Sequence, residues 1–323
     1  MDLHYRLMRQ TINIAVSKTI EDMRSNPKRS IRNLFDLGLL FSQSKNQKWV
    51  FNTAKNAISD ANNPYYKLVS RMIADVDIHT IKTVGINLGY ISLLYGANKL
   101  RKLQSAMNCS LPWVLIFNAS RNVPGFFSRT EAFIQKAREL GIYSYVFCPQ
   151  KIEEIAIICK IAERFEECVF VIKTLPELIT VHSTEWIRRV HNIVISVHVS
   201  DFVISSDRYI TAFRILRDNH CLYGFHTDYN ESSMKVVTAS EFISSAISLG
   251  NIFGMYIPQK GIIDSCQNAM HTFVCGERSA TGLPLLTFEW LGDMRFISEI
   301  LKANGGYMVV HSADDHLLPI QQT

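Results

Sequence analysis

From Leu111-Pro112 onward, short apolar runs alternate with segments of helical periodicity, and this alternation narrows the fold more than any other feature of the chain. The runs are residues 114–117, 143–147, 169–172, 193–197, 222–227 and 252–257. Between them, residues 129–140, 152–164, 184–190, 207–219 and 240–249 carry apolar side chains at helical spacing. Parallel neighbours need long crossover connections, so strand and helix in strict turn imply a parallel sheet. Gly141 and Gly250 follow the apolar runs of their helices and are expected helix stops. Six such strands predict a partial six-stranded parallel (β/α) barrel over 111–262.

Residues 1–110 read as all-helical, with helices over 1–24, 31–41, 50–58, 66–74 and 77–102. Asn26-Pro27 and Asn62-Asn63-Pro64 break the pattern. Gly85, Gly89 and Gly96 weaken the last helix relative to alanine, so close packing is expected there. Past Pro258 the alternation stops. Residues 263–323 are predicted to form a small appendage, a helix over 264–275 and two hairpins. One hairpin turns at Leu291-Gly292-Asp293; the other turns at 312–315, between 307–311 and 316–320.

No stretch approaches the apolar length of a membrane span. The opening MDLHYRLMRQ has no apolar core before a small-residue cleavage site, so the cytoplasm is the expected location. Seven cysteines, at 109, 148, 159, 168, 221, 266 and 275, include no C-x-x-C pair and read as reduced thiols. Charge is uneven: residues 1–110 hold 16 basic and 7 acidic side chains, a net of +9 against +5 for the whole chain. The basic residues are dispersed without interleaved aromatics, which reads as a solvated surface rather than a nucleic-acid interface. No dinucleotide-binding or P-loop glycine pattern and no G-x-S-x-G elbow occurs.

Sites on parallel barrels collect at the C-terminal ends of the strands. Period-two alternation groups Val114, Ile116 and Asn118 on one face, then Val194, Ser196 and His198, then Gly224, His226 and Asp228, then Gly254 and Tyr256. If these faces look inward, Asn118, Lys173, Ser196, His198, His226, Asp228 and Tyr256 meet in one polar mouth, with Arg121 and Asp201 in adjoining loops. Two imidazoles and a carboxylate, His198 and His226 with Asp228 or Asp201, form a donor set that a divalent metal could take. The competing reading is a set of mutually satisfied polar side chains, and no metal is predicted.

The runs NNPYYKLVSRMIADVD (62–77), NCSLPWVLIF (108–117) and KARELGIYSYV (136–146) resemble bacterial radical-SAM proteins with a helical N-terminal region. So do NIVISV (192–197), AFRILRDNHCLYGF (212–225), PLLTFEWLGD (284–293) and GGYMVV (305–310). The resemblance runs in order through most of the chain and concerns cores, turns and strand order. It implies a partial barrel whose mouth carries an iron–sulfur cluster.

Such a cluster needs three thiolates, usually C-x3-C-x2-C, in the loop after the first strand. Here that loop is NASRNVPGFFS (118–128), with no cysteine. Serine and asparagine oxygens are poor substitutes for thiolates on iron. The family's glycine-rich turn after the second strand is FCPQ (147–150) here, and the later cysteine positions near 299–302 and 319–320 are empty of cysteine. The expectation is therefore a cluster-less protein without radical chemistry, leaning away from an enzyme. It would act by binding a peptide, a small ligand or a partner protein, a genuine radical-SAM enzyme included. The alternatives are a repurposed enzyme using the His/Asp group, a binder of S-adenosylmethionine that does not cleave it, and a nucleic-acid binder.

Overall fold

The computed structural model describes the chain except residues 1–2, 24, 43–44, 46–47, 49–50, 53–54, 56–59, 61–62, 119–125, 279–281, 304 and 312–323, and except the side chains of 3–6 and 128. The N-terminal region is helical: α1 (Leu3–Met23), α2 (Pro27–Phe41), α3 (Pro64–Asp75) and α4 (Ile78–Ile86). Three of these start on Asn or Asp caps. Asn26 Oδ1 accepts from Arg29 N at 3.2 Å, Asn63 Oδ1 from Tyr65 N at 2.9 Å, and Asp77 Oδ1 from Thr80 N at 2.8 Å. Each satisfies an orphan amide of its first turn, and proline follows the first two, where no amide is needed. Most of the helix expected over 50–58 lies outside the described residues.

A π-helical stretch (Asn87–Gly96) and α5 (Ala97–Met107) continue α4 without a break. Of its three glycines only Gly96 is tight. A Cβ there would sit 2.4 Å from the Gly141 carbonyl oxygen, whereas Gly85 and Gly89 have open space. The expected close packing is thus confined to one turn.

The rest of the chain alternates strand and helix: β1 (Val114–Asn118), α6 (Phe126–Leu140), β2 (Ser144–Cys148), α7 (Ile152–Arg164), β3 (Val169–Thr174), α8 (Val181–Ile187), β4 (Ile193–His198), α9 (Asp207–Asp218), β5 (Tyr223–Tyr229), α10 (Met234–Val237), α11 (Ser240–Ser248), β6 (Phe253–Pro258), α12 (Asp264–Glu277), β7 (Leu286–Glu289), α13 (Trp290–Leu301) and β8 (Tyr307–Val310). Gly141 and Gly250 take positive φ, 110° and 87°, at the helix ends the sequence indicated.

All strand pairs are parallel, in the order β7-β6-β5-β4-β3-β2-β1-β8. The sheet has eight strands rather than six. The two additions replace the expected hairpins. Leu291-Gly292-Asp293 is no turn between strands but the first turn of α13, capped by the Glu289 carboxylate on the Leu291 and Gly292 amides. Trp290, Met294, Ile297 and Leu301 already carry helical spacing, the signal that separates this stretch from a strand. Residues 307–310 pair parallel with β1, and 316–320 lie outside the described residues.

The two faces of the sheet differ. Leu115, Phe117, Tyr145, Phe147, Phe170, Ile172, Ile195, Val197 and Phe225 point to the crossover helices and are fully buried. Ile116, Asn118, Cys148, Val171, Lys173, Val194, His198, Asp228, Met255, Ile257, Phe288 and Val309 point to the concave side and are only half-buried.

The N-terminal helices close one end of this concavity. Ile20, Leu68, Val76, Ile81 and Val84 pack on Leu222, Ile252 and Phe253 at the strand starts. Asn87 Nδ2 donates to the carbonyls of Glu166 (2.6 Å) and Cys168 (3.0 Å) ahead of β3. The Arg71 guanidinium donates to the carbonyls of Ile247 (2.9 Å), Asn251 (2.7 Å) and Pro284 (3.0 Å), just before β6 and β7. The strand ends opposite are not closed in this way among the described residues.

Candidate functional site

The parallel register fixes which side chains meet at the open end. Asn118 pairs with Cys148, Lys173 with Ser196, and His198 with His226. Asp228 is aligned with Ile257 of β6, and His226 with Met255. Six of the sequence-derived candidates, Asn118, Lys173, Ser196, His198, His226 and Asp228, thus share the concave face.

Tyr256 does not join them. It is aligned with Thr227, one residue out of phase with His226 and Asp228. It lies on the helix side, fully buried, its hydroxyl donating to the Val237 carbonyl at 3.3 Å. Gly254 explains the phase: lacking a Cβ, it leaves room for the Phe225 ring on that side, so Phe253, Met255 and Ile257 turn inward. Asp201 sits on the exposed rim and is held within its own loop, with Oδ1 accepting from Val203 N (3.2 Å) and Oδ2 from Arg208 (2.7 Å). Arg121 lies outside the described residues.

Two imidazoles dominate the centre. The His198 and His226 rings are parallel within 7°, with centroids 4.9 Å apart. His226 Nδ1 lies 2.9 Å from the hydroxyl of Ser196, which is itself fully buried. Burial drives the His226 pKa well below the ordinary histidine value, and the charges of Lys173 and His198 push the same way, so His226 is neutral near pH 7. His198 Nε2 lies 3.1 Å from Asp228 Oδ2. That contact, ahead of the opposing effect of burial, lowers the Asp228 pKa and keeps it a carboxylate.

An ion held by both histidines must lie close to both ring planes, and parallel planes do not meet. One nitrogen of each ring is already engaged. Among the described residues, no three His, Cys, Asp or Glu side chains gather as a metal-binding group.

The thiols are equally dispersed. Cys148 alone stands on the concave rim of the sheet. Cys168 and Cys221 precede β3 and β5 at the opposite end, Cys159 is inside α7, Cys266 and Cys275 are on α12, and Cys109 follows α5. Three thiolates are not brought together by this arrangement. Burial raises the Cys148 pKa, with Lys173 opposing in part, and the group is a neutral thiol.

Around this polar row lie Met255 and Ile257 of β6, which the period-two reading of that strand missed, and Phe288 of β7, all half-buried on the concave face. Parallel register across the whole sheet reveals them, and one strand read alone does not. Exposed apolar side chains ring the same end. Leu175 and Val181 follow β3, Val203 follows β4, Val236 follows β5, and Ile263 follows β6.

The fold and site define a class: an open, parallel α/β half-barrel of eight strands, closed at one end by a helical N-terminal region and polar at the other. No family model and no curated protein matches the chain. Solved structures similar to it include SuiB of Streptococcus suis bound to S-adenosylmethionine, at 12% identity over 59% of this chain and 51% of that one, TM-score 0.45. The same protein bound to precursor peptide SuiA is similar at 13% identity, 59% and 52% coverage, and TM-score 0.45. Rhizobium etli pyruvate carboxylase follows at 12% identity, 76% and 23% coverage, and TM-score 0.35. The chain spans about half the length of the SuiB structures it matches. No helix among the described residues is long and apolar enough to cross a membrane.

Proposed function

We propose that this chain is a binding protein: a barrel of radical-SAM type that lacks a cluster, runs no radical reaction, and holds a peptide in its open mouth. The observation that carries the reading is the contrast between the sheet's two faces. The helix side is a closed core, while the concave side leaves a row of apolar and polar groups half-exposed. Apolar area of that kind is what a partner covers. The rim side chains Leu175, Val181, Val203, Val236 and Ile263 extend it around four successive loops, which suits an extended peptide more than a small enclosed ligand. The cysteine-free stretch 118–128 supports the absence of a cluster.

The test has two arms. The first is anaerobic reconstitution with iron and sulfide, followed by metal and acid-labile sulfide analysis. The reading expects less than about a tenth of a cluster per chain, and a stoichiometric cluster would end it. The second is native mass spectrometry of the protein with peptides encoded beside its gene, repeated with S-adenosylmethionine alone. A peptide complex is expected, and binding of S-adenosylmethionine without peptide would shift the assignment to a cofactor binder.

A second reading rests on one contact. Asp228 fixes His198 at Nε2, the arrangement that orients an imidazole for proton transfer. It makes the mouth a metal-free acid–base site.

A further inference from the structure

Among the described residues, the ionisable side chains of the concave face have a direct partner or are neutral, with one exception. Asp228 lies in hydrogen-bond contact with His198, and Asp201 is ion-paired with Arg208. His226 is held neutral, and Cys148 is a protonated thiol. Lys173 remains. It projects from the last turn of β3 onto the concave face, half-buried, between Cys148 on one side and Ser196 on the other. Its ammonium has no ion pair or hydrogen bond among the described residues, yet its charge is felt by Cys148, His226 and Asp228. The Asp228 carboxylate feels this charge without contacting it, so none of the three ammonium donors is taken among the described residues. The surroundings reinforce the sign, because α6, α7, α9, α11 and α12 all begin at this end and turn their positive dipole ends toward it.

We propose that Lys173 is the anchor for a carboxylate carried on an apolar body. This deepens the binding function above and rests on it. One ammonium, with no arginine beside it on the concave face among the described residues, matches a single negative charge. Behind Lys173 the floor is aliphatic, with Ile116, Val171 and Val194 half-exposed. The ligand that fits places its hydrocarbon on these residues and its carboxylate on the ammonium, with the His198 and His226 rings along one flank. A peptide ending in leucine-like residues and a free branched-chain acid both carry this chemistry.

The experiment measures binding by calorimetry to full-length protein. The probes are a short N-acetylated leucine-rich peptide with a free C-terminal carboxylate, the same peptide as its C-terminal amide, and isocaproate. Lys173→Met removes the charge at nearly constant volume, and Lys173→Arg restores it. The inference expects the free acid to bind at least about tenfold more tightly than the amide, a difference of about 1.4 kcal/mol. That preference should vanish in K173M and return in K173R. Isocaproate binding as well as the peptide identifies a small acid as the source, and the peptide binding alone identifies a chain terminus.

A second readout does not depend on affinity. The NMR titration of His226 should move up when the carboxylate arrives, because the opposing Lys173 charge is compensated. Equal binding of acid and amide, an unchanged K173M, or no binding of either acid to the wild type overturns the assignment. Partner capture that survives in K173M would overturn it while leaving the peptide-binding function standing. Acid binding without any peptide partner would do the reverse.

Discussion

Protonating His226 should cost this protein stability in a way that one substitution removes. In the unfolded chain His226 titrates near the ordinary 6.5, while in the fold burial, Lys173 and His198 hold its pKa far lower. Between these two values the unfolded state binds a proton that the folded state refuses, so stability falls as pH falls. The loss begins as pH drops through about 6.5 and continues down to the depressed folded value. For one group that binds its proton only in the unfolded state, linkage gives about 1 kcal/mol lost between pH 6.5 and 5.5. Other histidines and carboxylates titrate over the same range, so the test is a difference. His226→Asn keeps a short polar head beside the Ser196 hydroxyl and removes the titration. Urea unfolding at pH 7.5, 6.5, 5.5 and 4.5 gives both stability curves. The wild type should fall about 1 kcal/mol further than H226N between 6.5 and 5.5. Curves parallel within about 0.3 kcal/mol would mean that the folded protein accepts the proton, and the picture of a dry, cation-flanked imidazole would be wrong.

Arg71→Met keeps the aliphatic stem but takes its donor from the Asn251 and Pro284 carbonyls, while the Ile247 carbonyl keeps the Gly250 amide. A loss of about 2–3 kcal/mol is expected in urea unfolding, less than three full charged hydrogen bonds because burying the guanidinium has its own cost. Gly96→Ala forces a methyl to within 2.4 Å of the Gly141 carbonyl oxygen. It should destabilise by about 1–3 kcal/mol, read by thermal melting, despite alanine's better helix propensity. Tyr256→Phe should cost about 0.5–1.5 kcal/mol through its hydroxyl bond to Val237 and leave ligand binding unchanged, since the ring faces the helices. A tenfold drop in affinity for Y256F would put the ring back in the mouth.

Much of the site was legible because it obeys two local rules. Period-two alternation placed Ser196 with His198 and His226 with Asp228, and in the structure each pair does share a face. Tyr256 escaped because alternation within one strand carries no phase relative to its neighbour. The phase of β6 comes from Gly254 yielding to the Phe225 ring, a contact between strands. The pairing of His198 with Asp228 and of Ser196 with His226 was likewise invisible, since it depends on how adjacent parallel strands are staggered. Nothing local distinguishes Lys173 from any other strand-end lysine, and its isolation is a property of its neighbours.

By itself the sequence determined the alternation of strand and helix, the all-helical start and the cysteine-free stretch after the first strand. These are consequences of side-chain periodicity and residue type within one segment. Tertiary structure alone decided that eight strands rather than six share the sheet. It also decided that the N-terminal helices seal one end of it and that, among the described residues, one lysine on the concave face makes no direct ion pair. The physical reason is range: a helix or strand is chosen by residues a few positions apart, whereas register, closure and charge balance are settled between residues that meet only once the sheet is assembled.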